Sequence, residues 1–474
     1  MTHPLTRRRL LVQALIGAGL VAAPGLPQLL AAPDLLVANV TQLYTVRVAR
    51  IATPRSADDV AKAIAAWPGR VAVGGGRYSM GGQVAVEGGL HLDMRGMNKL
   101  VWLRAPQQRV RVQAGMRWRD LQALIDPLGL AVKTMQSYSN FTVGGAVSVN
   151  AHGRYVGNGP VGHSVRALQL VLADGKVIEA CRQESPQLFQ AALGGYGAIG
   201  VITEVELDLV PNERMERVVQ ALKLEDYPAF FRDRVQADAA SVMHNADLMP
   251  PRFDEPVSVT WRRTDKPLTE PARLVAEGQR YGLEQNVIWL MTEVPGAASL
   301  RKSVVHPLLN KDPAVVWRNH EASLDVAELE PRTRRMSTYV LQEYFVPPRH
   351  FVAFARGMAQ VLREHDVEAL NVSIRHSPRD VDALLPWAKE EVFSFVLYHK
   401  QRTHGRAQKA VGVWTRELID LVLRCEGRYY LPYQLHATQA QFEQAYPEVK
   451  ALRELKRRVD PKGVFSNALW AKYL

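Results

Sequence analysis

The sequence has few cysteines and few long apolar runs. Its 474 residues include two cysteines, Cys181 and Cys425, and no CxxC pair. Two cysteines allow at most one intrachain disulfide and are too few for a thiolate zinc or iron–sulfur site, so we expect no bound metal. No apolar run after the first forty residues approaches the roughly 20 residues that cross a bilayer, which predicts a soluble body.

Concentrated charge is also missing. The formal net charge is +12, yet the Lys and Arg residues are scattered along the chain. The densest cluster, at residues 456–458, lies beside Glu454 and Asp460, a pattern typical of a solvated helix face. The charge pattern therefore does not favour nucleic acid as a partner.

The first 38 residues have the architecture of an export signal. Three arginines at positions 7–9 are followed by a moderately apolar stretch over residues 10–23, whose length and Gly and Ala content are typical of a signal peptide. The run TRRRLL resembles the twin-arginine signal, which predicts export of the folded protein to the periplasm by the twin-arginine machinery. A general secretory signal and an uncleaved anchor are the alternatives, and cleavage after Ala32 or Ala38 stays open.

Differences in sequence pattern divide the rest of the chain. Residues 39–212 alternate short β-branched runs with glycine-rich turns, whereas residues 213–425 contain longer amphipathic segments and fewer glycines. Residues 426–474 form a closing segment that is predicted to be helical as far as Val459, before Pro461 and Gly463. This mixture predicts an α+β fold with two lobes.

Local patterns predict several elements. Ser56, with Asp59 three residues later, forms a capping box for a helix that runs through Trp67. Asp174–Gly175 lies between two period-two runs and predicts a hairpin over residues 167–180 with a type I′ turn. Further strands are predicted over residues 71–73, 90–94, 109–115, 339–347, 369–375 and 391–399, and further helices over 118–129, 349–365 and 414–427.

Glycine is concentrated in three loops next to apolar strands. The first is VAVGGGRYSMGGQ, the second is TVGGAVSVNAHG at residues 142–153, and the third is GGYGAIGVITEVEL at residues 194–207. Such loops can bring main-chain N–H groups close to a diphosphate. Their spacing is neither GxGxxG nor that of a P-loop. Three clusters predict a long ligand laid across several loops, and FAD has about that length.

The order of these motifs, with GGLHLDMRGMNKL and VRALQLVLADG between them, resembles the FAD-binding domain of the vanillyl-alcohol oxidase and p-cresol methylhydroxylase (PCMH) superfamily. The closing run DPKGVFSN is similar to the C-terminal piece of its sugar and aldonolactone oxidase branch. The resemblance is dense over residues 45–212 and thin over 340–474. It implies a PCMH-type FAD-binding domain with two subdomains over 39–212, a mixed α/β substrate (cap) domain over 213–425, and a closing segment that returns to the FAD domain.

The resemblance also implies which residues bind FAD. The family's first loop cradles the diphosphate and often carries a histidine bonded covalently to the flavin, where this chain has Tyr78. We therefore expect dissociable FAD. The residues matched by position are, in the first loop, Gly74, Gly75, Gly76, Arg77, Tyr78, Ser79, Met80 and Gln83; in the second, Thr142, Val143, Gly144, Gly145, Ser148, Asn150, His152 and Gly153; and in the third loop and closing segment, Gly197, Gly200, Val201 and Asn467.

Candidate catalytic residues come from the second lobe and the closing segment. Removing hydride from a carbinol carbon requires an acceptor for the hydroxyl proton and a cation or hydrogen-bond donor that holds the substrate. The resemblance places Glu343 and Arg375 at the family's strand positions, and Tyr433 where sugar-oxidising relatives often carry a lysine. His399 follows an apolar strand and is the fourth candidate.

Simpler roles are open for several of these residues. Glu343 and Arg375 also fit an ordinary inter-strand salt bridge, and His152 also fits a hydrogen-bonded core histidine. His306 and His404 are expected at the surface.

The resemblance implies oxidation of a CH–OH group in a sugar, polyol or aldonolactone, with hydride transfer to flavin N5. Dioxygen or a periplasmic or quinone acceptor would then take the electrons. One alternative is a flavin-dependent dehydrogenase or reductase for a lipid-linked, amine or alkene substrate. The other is a flavin-binding assembly protein without catalysis.

Overall fold

The computed structural model describes residues 35–278, 314–325 and 334–474. The predicted export signal lies outside these residues except for its last four, and His306 also lies outside them. Within the described ranges, no helix is both long and apolar enough to span a bilayer. Three β-sheets and one separate pair of strands organise the described residues.

A small parallel sheet leads into the first glycine loop. Helix α1 (Ala57–Ala65) begins at Ser56, whose Oγ accepts the N–H of Asp59 at 3.1 Å. The helix ends before the predicted Trp67, because the residue before a proline is biased away from the helical region. The sheet order is β3 (Arg50–Ala52), β5 (Leu90–Asp93) and β4 (Val71–Gly74), preceded by the antiparallel pair of β1 (Leu36–Ala38) and β2 (Thr45–Arg47).

A six-stranded antiparallel sheet follows. Its strands are β6 (Leu100–Arg104), β7 (Arg109–Gln113), β8 (Leu130–Val132), β9 (Val165–Val171), β10 (Val177–Cys181) and β11 (Val201–Pro211), in the order β10-β9-β11-β7-β6 with β8 on β11. The helices of this region are α2 (Trp118–Ile125), α3 (Val143–Ser148) and α4 (Pro186–Ala192). Trp118, Val143 and Phe189 anchor these three helices in one apolar core with the sheet.

The predicted hairpin is confirmed as β9 and β10, but its predicted turn type is wrong. A type I′ turn needs positive φ at two residues. Here only Gly175 has positive φ (82°), and its N–H donates to the carbonyl of Leu172 at 3.0 Å. The loop is therefore a type I turn followed by a left-handed glycine.

The cap lobe is built on an eight-stranded sheet. Its strands are β12 (Arg214–Ala221), β13 (Ser241–Leu248), β14 (Val257–Arg263), β15 (Val315–Trp317), β16 (Ser337–Val346), β17 (Ala369–Ser377), β18 (Val392–Arg402) and β19 (Arg428–Tyr429), in the order β15-β12-β14-β13-β17-β18-β16-β19. Its helices are α5 (Tyr227–Phe230), α6 (Arg318–Glu321), α7 (Phe351–Glu364) and α8 (Gly405–Arg424). Helix α8 begins nine residues before the predicted start, at the exposed N-cap His404, whose side chain accepts the N–H of Ala407.

One face of this sheet is covered by α7 and α8. Phe354 of α7 packs on Phe395 of β18, with ring centroids 4.9 Å apart, and Trp414 of α8 packs on His399 at 5.0 Å. Because successive side chains of a strand point to opposite faces, Val396 and Tyr398 lie on the other face of β18. That second face is the one that meets the glycine loops.

The closing segment returns to the first sheet, as predicted. It contains α9 (Gln439–Ala445), α10 (Val449–Val459) and α11 (Ala468–Tyr473), and Phe465 forms a parallel bridge with Val71 of β4. The carboxylate of Asp460 accepts the N–H groups of Val464 and Phe465 at 2.7 and 2.9 Å. The ammonium group of Lys456 donates to Asp460 and to the carbonyl of Ala198, each at 2.7 Å.

Asp460→Ala should lower the free energy of unfolding by about 3 kcal/mol, since it leaves the largely buried Lys456 ammonium without its carboxylate and two N–H groups without an acceptor. Urea unfolding followed by tryptophan fluorescence measures the change. Glu454→Ala, at an exposed position of the same helix, is the control and should change stability by less than about 0.5 kcal/mol. Equal stability of the two variants would contradict the prediction.

Candidate active site

The three glycine loops and the open face of the cap sheet line a single cavity. Among the predicted FAD residues, the structure brings together Gly75, Gly76, Arg77, Tyr78, Ser79, Met80, Gln83, Thr142, Gly144, Gly145, Ser148, His152, Gly197 and Gly200. Glu343, Arg375 and Tyr433 line the same cavity. The predicted cofactor loops and three of the four predicted catalytic side chains therefore share one site.

The first loop is held in shape by Arg77. This residue has a left-handed backbone (φ 61°), and its guanidinium donates to Asp93 at 2.9 Å and contacts His91 at 3.1 Å. A Cβ on Gly75 would lie 2.2 Å from Oγ1 of Thr142, so the first two loops can meet only because position 75 is a glycine.

This loop fits a diphosphate. The N–H groups of Gly75, Gly76 and Ser79 donate no hydrogen bond within the described residues, and all three residues line the cavity. Successive N–H groups without internal partners are the donors that an anionic diphosphate requires. The first loop would hold that part of FAD, and FAD supplies a hydride acceptor when bound.

The closing segment holds the first loop from behind. The side-chain amide of Gln83 donates to the carbonyls of Leu431 and Tyr433, each at 2.8 Å, and accepts the N–H of Gly81. The N–H of Met80 donates to the carbonyl of Pro432 at 2.6 Å. Gln83 therefore acts mainly by joining the loop to the closing segment.

Six of the predicted FAD residues lie behind the cavity wall. Asn150 has a left-handed backbone (φ 47°), and its amide donates to Asp380 at 2.8 Å and accepts the N–H of Gly162 at 3.0 Å. Asn467 caps α11 and donates to the carbonyl of Tyr196. These residues support the loops instead of lining them; the six are Gly74, Val143, Asn150, Gly153, Val201 and Asn467.

Glu343 is the centre of a buried hydrogen-bonded group. Its Oε1 lies 2.5 Å from Nε2 of His152, and its Oε2 accepts the hydroxyl of Tyr433 at 3.1 Å. Burial by itself would raise the pKa of Glu343, but His152, Arg375 and Tyr433 together lower it below the usual value. A buried carboxylate that stays ionised is a proton acceptor at neutral pH.

Arg375 brings positive charge to the same cavity. It lies on β17, with β18 between it and the strand of Glu343. Its Nε is buried and has no hydrogen-bond partner among the described residues. Burial lowers the pKa of its guanidinium, and the charge of Glu343 opposes that shift. The site can therefore hold a polar substrate between a carboxylate and a guanidinium.

The structure corrects the placement of His399. Its side chain is absent from the cavity lining and faces helix α8, because alternation along β18 turns Tyr398 towards the cavity instead. Both of its ring nitrogens are buried and have no hydrogen-bond partner in the part of the chain that the structure describes, and burial lowers the pKa of His399 to about 3. His399 belongs to the packing between sheet and helix.

Several cavity residues escaped the sequence prediction. Tyr339 and Leu341 precede Glu343 by four and two residues, so strand alternation would have placed them on its face. The hydroxyl of Tyr430 donates to the carbonyl of Val149 at 2.7 Å. The cavity residues that the sequence analysis did not predict include Tyr138, Phe141, Arg334, Tyr339, Leu341, Tyr430 and Pro432.

Comparisons with known proteins agree with this site. The FAD binding domain family matches residues 48–180. L-gulonolactone oxidase of Bos taurus is 24% identical over 409 residues, which cover 85% of this chain and 89% of that protein. Decaprenylphosphoryl-beta-D-ribose oxidase of Mycolicibacterium smegmatis is 24% identical over 420 residues, which cover 84% of this chain and 88% of that protein. Alditol oxidase of a Streptomyces species is 34% identical over 164 residues, which cover 34% of this chain and 37% of that protein.

A second family matches the C-terminal part of the chain. The profile of D-arabinono-1,4-lactone oxidase matches residues 206–474. This range includes the cap sheet, Glu343, Arg375, Tyr433 and the closing segment. Because the match spans more than half of the 474 residues, the chain belongs to the D-arabinono-1,4-lactone oxidase family of FAD-dependent oxidoreductases.

Proposed function

We propose that this protein oxidises a CH–OH group of a sugar, polyol or aldonolactone, with FAD as the hydride acceptor. The observation that carries the proposal is the buried carboxylate of Glu343, hydrogen-bonded to His152 and Tyr433, in a cavity that Arg375 and the three glycine loops also line. The names of the relatives, which include a gulonolactone oxidase and an alditol oxidase, support this substrate class.

Three residues of the chain would have distinct roles in the reaction. Glu343 accepts the proton when the O–H bond of the substrate breaks, and the hydrogen on carbon leaves with its electron pair for the cofactor. Arg375 donates to a substrate oxygen and thereby orients the carbinol carbon. Tyr433, which already donates to Glu343, borders the place where the hydroxyl must lie. Dioxygen, which the oxidase names favour, or a periplasmic or quinone acceptor would take the electrons.

Glu343→Gln should lower kcat/KM by about 10²- to 10⁴-fold, because the amide cannot accept the hydroxyl proton. Anaerobic bleaching of the flavin with a panel of aldonolactones, polyols and sugars identifies the substrate and measures the rate. Glu417→Gln is the matched control, since Glu417 pairs with His365 outside the cavity, and it should keep wild-type activity. Full activity of Glu343→Gln on every active substrate would rule out the proposed role.

The cofactor is proposed to be held without a covalent bond. The support is Tyr78, which the resemblance places at the position of the family's flavin-linking histidine, and whose ring packs on Phe141 at 4.5 Å. A phenol lacks the ring nitrogen that forms the histidyl–flavin bond.

Acid precipitation of the yellow protein should therefore release all of its flavin into the supernatant. Absorbance of the supernatant and flavin fluorescence of the protein band on a denaturing gel measure the partition. A band that stays fluorescent after denaturation would overturn the non-covalent attachment while leaving the proposed reaction intact.

Export to the periplasm by the twin-arginine route is also proposed. It is supported by the run Thr6-Arg7-Arg8-Arg9-Leu10-Leu11 and the apolar stretch after it. This route carries folded proteins, which suits a chain that acquires FAD before export.

Replacing residues 7–9 with lysines (R7K, R8K and R9K together) should keep the positive charge but abolish export by this route. Cell fractionation and immunoblotting in a bacterium with a twin-arginine system measure the periplasmic fraction. A host strain without that system should retain the wild-type protein in the cytoplasm. Undiminished export of the lysine variant would contradict the proposal.

A further inference from the structure

We propose that His152 is a positioning residue for the reaction: it forms an imidazolium–carboxylate pair with Glu343 that keeps this proton acceptor ionised and fixed in the cavity. The inference rests on the proposed function, because it assigns His152 a role through Glu343. It makes the second glycine loop, which belongs to the cofactor-binding half, a part of the acid–base machinery.

The geometry around the ring supports an imidazolium. Nε2 of His152 lies 2.5 Å from Oε1 of Glu343, and Nδ1 lies 3.4 Å from the carbonyl oxygen of Gly153. Both ring nitrogens therefore face oxygen acceptors. A neutral imidazole carries one N–H donor, whereas an imidazolium carries two. The doubly protonated ring next to an ionised carboxylate satisfies both contacts.

Aromatic side chains enclose this pair. The ring of His152 lies 4.9 Å from Trp387, 5.7 Å from Phe345 and 6.0 Å from Tyr430, centroid to centroid. The polar ends of two of these rings are used elsewhere, since Trp387 donates to the carbonyl of Asn150 and Tyr430 to that of Val149. The rings therefore shield the pair from water, and in such a low-dielectric environment the attraction between the imidazolium and the carboxylate is stronger than in water.

The backbone leaves His152 little freedom to move. Asn150 is fixed through its hydrogen bonds to Asp380 and Gly162. On the other side, a Cβ on Gly153 would lie 2.1 Å from the carbonyl oxygen of Met135, so the chain there is packed against its neighbour. The loop is thus held on both sides of His152, and within the described residues Glu343 is the one side chain that hydrogen-bonds to its ring.

Several neighbouring groups influence the pKa of Glu343. Burial raises its pKa, and His152 is the strongest of the groups that lower it. The titratable or charged groups that face it are His152 from the second loop, Arg375 from β17, Tyr196 from the third loop, and Tyr430, Tyr433 and Tyr446 from the closing segment. Loss of the His152 charge would therefore let burial raise the pKa of Glu343.

The consequence is a defined change in the pH profile. A carboxylate acts as a base above its pKa, so activity is present at high pH and is lost as the pH falls through that pKa. In His152→Gln the amide can still donate a hydrogen bond to Glu343 but carries no charge. The acidic limb of the kcat/KM profile should therefore move to higher pH by about one unit or more, with kcat largely recovered at alkaline pH.

The matched control is His365→Gln, which removes the ring from a His–Glu pair outside the cavity and should leave the profile unchanged. A merely structural role for His152 predicts a uniform loss of kcat at every pH. An acidic limb that stays in place in His152→Gln would therefore overturn the inference.

A second measurement needs no turnover. The FAD-loaded protein is labelled with ¹⁵N-histidine, and the resonances missing from His152→Gln are those of His152. We expect both of its ring nitrogens to be protonated at pH 7 in the wild type and one of them in Glu343→Gln. A singly protonated ring in the wild type would refute the ion pair. A doubly protonated ring in a protein that oxidises no carbohydrate would instead refute the proposed function and retain the pair.

Discussion

The negative charge on Glu343 is the constraint on which the rest of the site depends. A buried carboxylate is costly unless its oxygens are hydrogen-bonded and its charge is paired. Here His152 meets one oxygen, Tyr433 meets the other, and Arg375 lies in the same cavity. These three residues come from the second glycine loop, the closing segment and the cap sheet. The contacts that keep the site ionised therefore also fix the relation between three distant parts of the chain.

The cofactor cradle, formed by the three glycine loops, is also held in place by side-chain hydrogen bonds. Many of the residues that line it are small, and the hydrogen bonds of a few side chains set its shape. Arg77 anchors the first loop on Asp93, Asn150 anchors the second on Asp380, and Asn467 holds the third at Tyr196. Substitution of Asn150 or Asn467, which do not line the cavity, would displace main-chain donors of the loops that they support.

Much of this arrangement could be predicted because its signals are local. Clustered glycines and period-two runs located the three loops and the central strands of the cap sheet, and the resemblance located Glu343 and Arg375. The face of each strand was harder to assign. His399 was predicted to lie in the site, although strand alternation puts Tyr398 on that face. Which face each residue of β18 occupies can be assigned only when its register with the strand of Glu343 is known.

Contacts between residues that are far apart in the chain could not be predicted from one sequence. Asn150 and Asp380 are separated by 230 residues, and no local pattern pairs them. The sequence therefore presented Asn150 as a cofactor ligand, although its amide is used inside the protein. The turn at Gly175 shows the limit at short range, because Asp-Gly fits both a two-residue and a three-residue hairpin loop.

The way the closing segment holds the third glycine loop has a consequence for biosynthesis. The indole of Trp470 donates to the carbonyl of Gly195, 275 residues earlier in the chain. At about 5–20 residues per second, a ribosome needs roughly 14–55 s to make that stretch. During this interval the loop exists without its support, so the nascent chain cannot complete the cradle. The third loop therefore gains this support only after residue 470 has been synthesised, and a chain that stops before Trp470 lacks it.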